Sequence, residues 1–314
     1  MVFSAKLRSL KIPGEKDDWY MRKRARRIDS KSSRTADYTC MYRAASYLEK
    51  NELYKSEDYI APKLLRGLIN FFVKHKLINY NWIFFPKGIY EYVIARTKYI
   101  DNIFKESIEN GIEQILIFGA GFDSRALRFA KKNIKIKIFE LDSLHTQTAK
   151  IKQFKKKDIS IPKNTIFIPI DFHIDSISEK LESNGFKRNK TTLFVMEGIL
   201  MYLNKEVVDE LFKLIYKLAV PESRVIFDYI HASVLRRENI YYGEKHIYRI
   251  VNVVREPWLF GIEKGEMEAF LKNYNFNLIQ NLNSEDLEKM FFRDEQGNIM
   301  AKINGTLSIA QVKK

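Results

Sequence analysis

The chain has 314 residues, of which 46% are hydrophobic and 13% aromatic, so it can bury a large core and is not disordered for most of its length. Its length allows two domains, or one large domain with a cap. The single cysteine, Cys40, excludes an intramolecular disulfide and favours a reducing compartment. No apolar run approaches the roughly 20 residues of a membrane-spanning helix, and residues 1–18 lack a signal-peptide core. We therefore expect a cytoplasmic protein without a membrane partner.

The formal net charge of +15 is concentrated in two blocks. Residues 1–34 hold eleven basic and four acidic side chains, and residues 131–157 hold nine lysines against two acids, so each block carries +7. The other 253 residues together carry +1. Such blocks are typical either of solvated surfaces or of a face that attracts an anionic partner. Nucleic acid therefore stays open as a partner, although no recognition motif favours it.

The first part of the chain, over 34–110, is predicted to be helical. Apolar residues recur there at three- and four-residue spacing in two stretches, 44–53 and 64–73. A third helix is predicted over 90–110, where Gly111 would end it. These helices precede the rest of the pattern and would form an N-terminal cap.

From residue 112 onward, short β-rich runs alternate with helical ones. This alternation, with several strands as continuous apolar runs, indicates an α/β fold with a doubly wound, mostly parallel sheet. The predicted strands are 115–118, 134–139, 166–170, 193–196, 225–229 and 306–311, and the predicted helices lie near 124–132, 143–157, 175–184 and 205–219.

The sequence ILIFGAGFDSR, residues 115–125, carries the sharpest functional signal. A buried strand leads directly into Gly119-Ala120-Gly121, and a helix follows. The first glycine permits a tight turn, and the second lets a ligand approach the backbone closely. Open α/β sheets bind nucleotide-like ligands at such a turn, so a cofactor site is predicted there.

Two acids, Glu140 and Asp142, lie at the end of the second predicted strand, where a carboxylate can bind the hydroxyls of an adenosine ribose. A dinucleotide site would need a third glycine where this chain has Ser124, and Asp123 would repel a pyrophosphate. An acid at the start of the helix suits the sulfonium and ammonium of S-adenosylmethionine. The comparison favours this methyl donor over NAD.

Several stretches of the chain carry a family resemblance. They are SSRTADYTCMYRAASYLE (32–49), ARTKYID (95–101), IFGAGFDSRALRF (117–129), FELD (139–142) and TLFVMEGILMYL (192–203), with EPWLFGI (256–262) as a weaker match. Together they resemble the leucine carboxyl methyltransferase family, with its bacterial and archaeal S-adenosylmethionine-dependent enzymes and polyketide carboxyl O-methyltransferases. The resemblance implies a Rossmann-like methyltransferase sheet of seven strands.

The resemblance also implies a division of the chain. Residues 1–31 have no counterpart and would form a basic arm, and 32–110 would form the helical cap. Residues 111–314 would form the S-adenosylmethionine-binding methyltransferase domain. Within it, the basic and tyrosine-rich segment 235–255 would be a substrate-binding insertion.

For the methionine part of the donor, the resemblance assigns four residues. Arg96 matches the arginine that pairs with the donor carboxylate, which suits the two-pronged guanidinium. Glu197 matches the acid near the ammonium, and Gly119 and Gly121 match the turn beneath the methionine portion. Arg34, in SSRTA, is a further candidate for the donor carboxylate.

For the adenosine part, the resemblance assigns four more residues. Asp142 matches the ribose-binding acid, and Glu140 would support it. Asp171, with Phe172 beside it, matches a residue next to the adenine, where a carboxylate can accept a proton of the exocyclic amine. Asp142 and Asp171 follow strands of the sheet, where ligand residues are expected.

Methyl transfer from a sulfonium is an in-line displacement, so the protein must position the acceptor and exclude water. A carboxylate acceptor is ionised at pH 7 and needs no general base. The sequence shows no catalytic dyad and no metal-ligand spacing, so no metal is expected. We expect esterification of a small-molecule or peptide carboxylate, with Tyr202 positioning the acceptor. A hydroxyl acceptor, a modified tRNA base and a non-catalytic S-adenosylmethionine-binding protein stay open.

Overall fold

The computed structural model describes residues 34–75, 86–170, 175–254 and 256–314. Its first part is helical, as predicted, with helices α1 (Arg34–Tyr47), α2 (Ala61–Leu64), α3 (Gly67–Lys74) and α4 (Ile89–Glu109). In the part that the structure describes, no helix is long and apolar enough to cross a bilayer.

Two of the predicted cap helices differ in extent from the apolar spacing. α1 ends at Tyr47, six residues before the predicted stretch does. The stretch 64–73 is divided between α2 and α3, because Leu65 is extended and Gly67 adopts a positive φ of 53°. α4 agrees with the prediction, and Gly111, with a φ of 81°, follows its end.

A seven-stranded sheet forms the centre of the molecule, in the order β3-β2-β1-β4-β5-β7-β6. Strands β1 to β5 are parallel, and β7 is antiparallel to both β5 and β6. This confirms the predicted doubly wound, mostly parallel fold. The strands are β1 (Gln114–Phe118), β2 (Lys137–Asp142), β3 (Thr165–Pro169), β4 (Thr192–Met196), β5 (Arg224–Ile230), β6 (Asn277–Leu282) and β7 (Leu307–Lys313).

Helices connect the strands and cover both faces of the sheet. Asn204 caps the helix that follows β4 by accepting a hydrogen bond from the Val207 amide at 3.0 Å, as its sequence position predicts. These helices are α5 (Arg125–Ala130), α6 (Leu144–Lys156), α7 (Ile177–Ser183), α8 (Lys205–Leu218), α9 (Ala232–Leu235), α10 (Glu244–Val254), α11 (Met267–Lys272) and α12 (Ser284–Phe291).

The structure corrects the sequence prediction in two strands. β2 begins at Lys137 and not at Ile134, whose side chain is 79% exposed. The edge strand β6 was not predicted, because its sequence NLIQNL is half polar, and three of its six residues are exposed. The other predicted strands are confirmed within one or two residues at each end.

Strand β7 lies between β5 and β6, and the residues just before it contact the cap. It pairs with β5 along seven residues, so that Ile309 lies opposite Asp228. Just before β7, the Asn304 amide donates to the Gly88 carbonyl at 2.9 Å, directly before α4. A Cβ at Gly88 would lie 2.4 Å from the Asn304 nitrogen, so this contact requires glycine.

Candidate functional site

The carboxyl ends of β1, β2, β4 and β5 meet at one end of the sheet, which we call the donor edge. Gly119 and Gly121 form a tight turn after β1, with φ values of 55° and 50°. A Cβ at Gly119 would lie 3.0 Å from Ile199, and one at Gly121 would lie 3.1 Å from the Cβ of Ala36. The turn thus requires glycine for its conformation and for its close packing against α1.

Asp142, the last residue of β2, is tied to this turn. Its Oδ2 accepts a hydrogen bond from the Gly121 amide at 2.6 Å, and its Oδ1 accepts one from the Ser143 amide at 2.6 Å. The side chain is 8% exposed. Each carboxylate oxygen has a second lone pair, so Asp142 can still accept ligand hydroxyls while its orientation is fixed.

Glu140 lies deeper than Asp142, on the same face of β2. It is fully buried and forms an ion pair with the equally buried Lys150 of α6 at 2.6 Å. Burial raises the pKa of Glu140 to about 7, although Lys150 opposes that rise. Glu140 therefore lies behind Asp142 and ties the end of β2 to α6.

Arg96 of α4 lies between two carboxylates at the donor edge. Its Nη2 is 2.9 Å from Glu197 Oε1, and its Nη1 is 2.6 Å from Asp228 Oδ2. Asp228 also accepts hydrogen bonds from the Tyr92 hydroxyl at 3.2 Å and the Gly198 amide at 2.6 Å. The Arg96 side chain is 5% exposed, yet its Nε has no hydrogen-bond partner among the described residues.

Arg125, at the start of α5, is completely buried among three carboxylates. Its Nε is 2.7 Å from Asp101, and its Nη1 is 2.7 Å from Asp123 and 2.6 Å from Glu197. Burial alone would raise the pKa of Glu197, but Arg96 and Arg125 outweigh it and hold that pKa below the usual value. Asp123 and Arg125 therefore form an internal ion pair next to the glycine turn.

These contacts belong to a larger cluster, the arginine network, which joins the cap helices to the sheet. Within the described residues the network has four arginines and five carboxylates, so its formal charge is −1. Burying so much charge is tolerable only because each charge has an opposite neighbour. Its members are Arg43, Arg96, Arg125, Arg128, Asp58, Asp101, Asp123, Glu197 and Asp228.

Tyr202 lies beside this site, in a 3-10 turn formed by Leu200–Tyr202 after β4. Burial raises the pKa of its phenol to about 12, and Trp258 and Thr35 are its neighbours. The Thr35 hydroxyl donates to the buried carboxylate of Glu256. The start of α1, the turn after β4 and the EPWLFGI segment thus meet near the glycine turn.

The structure does not place every predicted residue. Asp171 and Phe172 lie outside the described residues, as does the side chain of Arg34.

Several members of the arginine network were missed by sequence reasoning. Arg43 and Asp101 lie inside the family-like stretches, but a single sequence gives no sign that they pair with α5. Asp228 lies in the unremarkable strand sequence RVIFDYI. A charged residue in the middle of an apolar strand was the one available signal, since such a residue must find a buried partner.

Comparison with known proteins identifies the family. The sequence model described as leucine carboxyl methyltransferase matches residues 58–216, which is half of the chain. The chain belongs to the leucine carboxyl methyltransferase family. It is an S-adenosylmethionine-dependent methyltransferase, as the resemblance implied.

Relatives of the chain agree with this family. YktD of Bacillus subtilis (strain 168), provisionally named an S-adenosyl-L-methionine-dependent methyltransferase, is 25% identical over 208 residues, 66% of this chain and 68% of YktD. A Mycobacterium sp. (strain JLS) protein with the same provisional description is 30% identical over 164 residues, 52% of this chain and 51% of that protein. The chain thus spans about half the length of this mycobacterial relative.

A solved structure shows the same fold. A Thermobifida fusca YX protein, provisionally named a methyltransferase, superposes with a TM-score of 0.55 at 16% sequence identity. The superposition covers 91% of this chain and 96% of that one. The overall fold is therefore shared at low sequence identity.

Proposed function

We propose that S-adenosylmethionine binds at the donor edge, with Arg96 on its carboxylate, Glu197 near its ammonium and Asp142 on its ribose. The unpartnered Nε of Arg96 carries this proposal. A buried guanidinium N–H without an acceptor is unfavourable, and an incoming carboxylate would satisfy it. Gly119 and Gly121 would let the methionine portion approach the backbone. Asp171 and Phe172 are proposed, from the resemblance alone, for the adenine.

The charge of the site also fits this donor. The arginine network carries one more carboxylate than arginine. The donor has two cationic centres and one carboxylate, so it would neutralise that excess. A pyrophosphate would instead add negative charge beside Glu197 and Asp123, and it would be repelled.

The residues of this chain would act by positioning. S-adenosylmethionine supplies an electrophilic methyl group on its sulfonium when bound. Arg96 would fix the methionine end while Asp142 fixes the ribose, so the position of the methyl group is held from both sides. The start of α1, with Thr35 and Ala36, would exclude water from the glycine turn.

For the acceptor, we propose a carboxylate on a small molecule or a peptide C-terminus. Tyr202 supports this because its pKa of about 12 keeps the phenol protonated at neutral pH. A neutral phenol can donate a hydrogen bond to a carboxylate but cannot remove a proton from a hydroxyl acceptor. A carboxylate is already ionised and needs no such base.

The donor assignment is tested by calorimetry with S-adenosylhomocysteine, 5′-methylthioadenosine and NAD. We expect wild type to bind the first two and not NAD. Asp142→Ala should weaken both adenosine ligands, by roughly tenfold or more, because both contain the ribose. Arg96→Lys should weaken S-adenosylhomocysteine only, because 5′-methylthioadenosine has no carboxylate. Tight binding of NAD, or no effect of Asp142→Ala, would overturn the assignment.

The acceptor is tested by labelling a cell extract with donor carrying a radioactive methyl group. A carboxylate acceptor gives a methyl ester, whose label is released by mild base. Initial rates should then be nearly constant between pH 6 and 9, since the acceptor carboxylate is ionised throughout. Base-stable label would refute the carboxylate, and label in the RNA fraction would identify a nucleic-acid acceptor instead.

A further inference from the structure

The opposite end of the sheet, where β2, β3 and β4 begin, carries a surface that we call the lysine edge. It is formed by three segments, 131–137 at the start of β2, 155–163 between α6 and β3, and the residues just before β4. Nine exposed lysines belong to it: Lys131, Lys132, Lys135, Lys137, Lys155, Lys156, Lys157, Lys163 and Lys187.

Hydrogen bonds from one side chain to backbone carbonyls hold the first two segments together. The Asn164 side chain donates to the carbonyls of Ala130, Asn133 and Ile136 at 3.1, 3.0 and 2.8 Å. The segment before β3 is therefore fastened along the segment before β2. A Cβ at Gly185 would lie 3.2 Å from the Lys137 ammonium, so the segment before β4 is adjacent as well.

The charge of the lysine edge is not balanced locally. In the described ranges, none of the nine lysines forms an ion pair with an acidic side chain. The nearby acids Glu182 and Glu113 are already paired, with Arg188 and Lys190. Asp158 is the exposed acid within the second segment. The lysine edge therefore carries a strong net positive charge.

This surface is separate from the donor edge. β2 has six residues and α6 has thirteen, so each spans about 20 Å between the two ends of the sheet. The lysines consequently do not contact a small acceptor bound next to Glu197. They fit a second, larger anionic partner.

One apolar side chain projects from the middle of the lysines. Ile134 is 79% exposed, whereas Ile136, two residues later, is 9% exposed and packs into the core. Lysines flank Ile134 on both sides in the sequence KKNIKIK. Transfer of an exposed isoleucine from water into an apolar phase is favourable. Contact with a phosphate backbone removes little apolar surface from water and stabilises binding much less.

We propose that the lysine edge docks the protein on the surface of an anionic lipid bilayer, a partner that the sequence alone did not predict. The lysines would contact the headgroups while Ile134 enters the boundary of the acyl chains. A nucleic acid fits less well, because the described part of this edge lacks exposed aromatic side chains for stacking and its Arg188 is engaged by Glu182. This proposal does not depend on the identity of the methyl acceptor.

The test is sedimentation of the full chain with vesicles of equimolar phosphatidylglycerol and phosphatidylcholine, and with vesicles of phosphatidylcholine alone. We expect binding to the anionic vesicles only. The triple variant K131Q/K132Q/K135Q should bind roughly a hundredfold more weakly, because each lysine near an anionic surface contributes about fivefold. Ile134→Ser should bind roughly fivefold more weakly.

The matched control is K205Q/K213Q/K217Q, which removes the same charge from the exposed face of α8 and should bind as wild type. Unchanged binding of S-adenosylhomocysteine shows that each variant is folded. The proposal is overturned if wild type does not bind the anionic vesicles, or if the two triple variants lose vesicle affinity equally. It is also overturned if K131Q/K132Q/K135Q binds the vesicles as wild type does. It is also overturned if Ile134→Ser has no effect and a structured RNA displaces the protein from vesicles.

Discussion

The two ends of the central sheet manage charge in opposite ways. At the donor edge, the nine charged side chains of the arginine network are paired with one another across the cap and the sheet, and all but the partly exposed Glu197 are buried. At the lysine edge, nine lysines are exposed and have no acidic partner among the described residues. Removing one member of a buried ion pair leaves the other charge buried without a partner, which strongly destabilises the fold. A single exposed charge contributes little to stability, and exposed charges influence binding through their total. Single substitutions at the donor edge should therefore have large effects, whereas each substitution at the lysine edge should have a smaller effect that adds to the others.

The largest expected effect is the loss of Arg125. Arg125→Met leaves Asp101, Asp123 and Glu197 buried without their shared cation, so it should lower the free energy of unfolding by about 4 kcal/mol or more. Lys156→Met at the lysine edge should change it by less than about 0.5 kcal/mol. Urea unfolding at pH 7 measures both. Equal effects of the two substitutions would remove the contrast between the edges.

The second effect concerns Lys150, which is the buried exception among the lysines of 131–157. Lys150→Met leaves Glu140 buried without its cation, so the pKa of Glu140 should rise further. When the pKa of a carboxyl is higher in the folded state than in the unfolded state, the protein loses stability as the pH rises above the unfolded-state pKa. The variant should be destabilised by about 3 kcal/mol at pH 8 and by clearly less at pH 5. Denaturant unfolding at both values of pH measures this.

The control for Lys150 is the double variant E140Q/K150M. Without the carboxyl, the difference in stability from wild type should become nearly independent of pH. A deficit of the single variant that is equal at pH 5 and pH 8 would show that packing, and not the charge of Glu140, is responsible.

The third effect is on ligand binding. Asp228→Asn keeps the size of the side chain but weakens its hold on Arg96, so S-adenosylhomocysteine should bind roughly ten- to a hundredfold more weakly. 5′-Methylthioadenosine should bind as it does to wild type, because it does not reach Arg96. Tyr92→Phe, which removes the weaker 3.2 Å hydrogen bond, is the milder control. Weakening of both ligands would mean that Asp228 is merely structural.

Much of the fold follows from local patterns in the sequence. Buried parallel strands such as β1 and β4 are continuous apolar runs, and α8 has a clear apolar stripe with a capping asparagine. The polar edge strand β6 has neither signal, because only the pairing with β7 makes it a strand. At β2, the alternation IKIKIF (134–139) extends the apparent strand toward the N-terminus as far as Ile134, although the chain enters the sheet only at Lys137.

The candidate site was predictable only in part, for a similar reason. Gly119 and Gly121 form a turn that their own sequence predicts. Asp142 was predictable because it lies at the end of an apolar strand. Arg96 and Asp228 are 132 positions apart, and nothing local in either segment indicates the 2.6 Å pair that they form. The sequence alone therefore identifies glycines in a turn and acids at strand ends better than it identifies ion pairs between distant segments.

The position of β7 has a consequence for the order in which the protein matures. This strand is late in the chain but lies inside the sheet, between β5 and β6, and its Ile309 is opposite Asp228 of β5. Asn304, just before it, also fastens the start of α4 through Gly88. During translation, Arg96 and Asp228 emerge from the ribosome long before this brace exists. We expect a nascent chain to remain unable to retain the methyl donor until residues beyond 309 have been released.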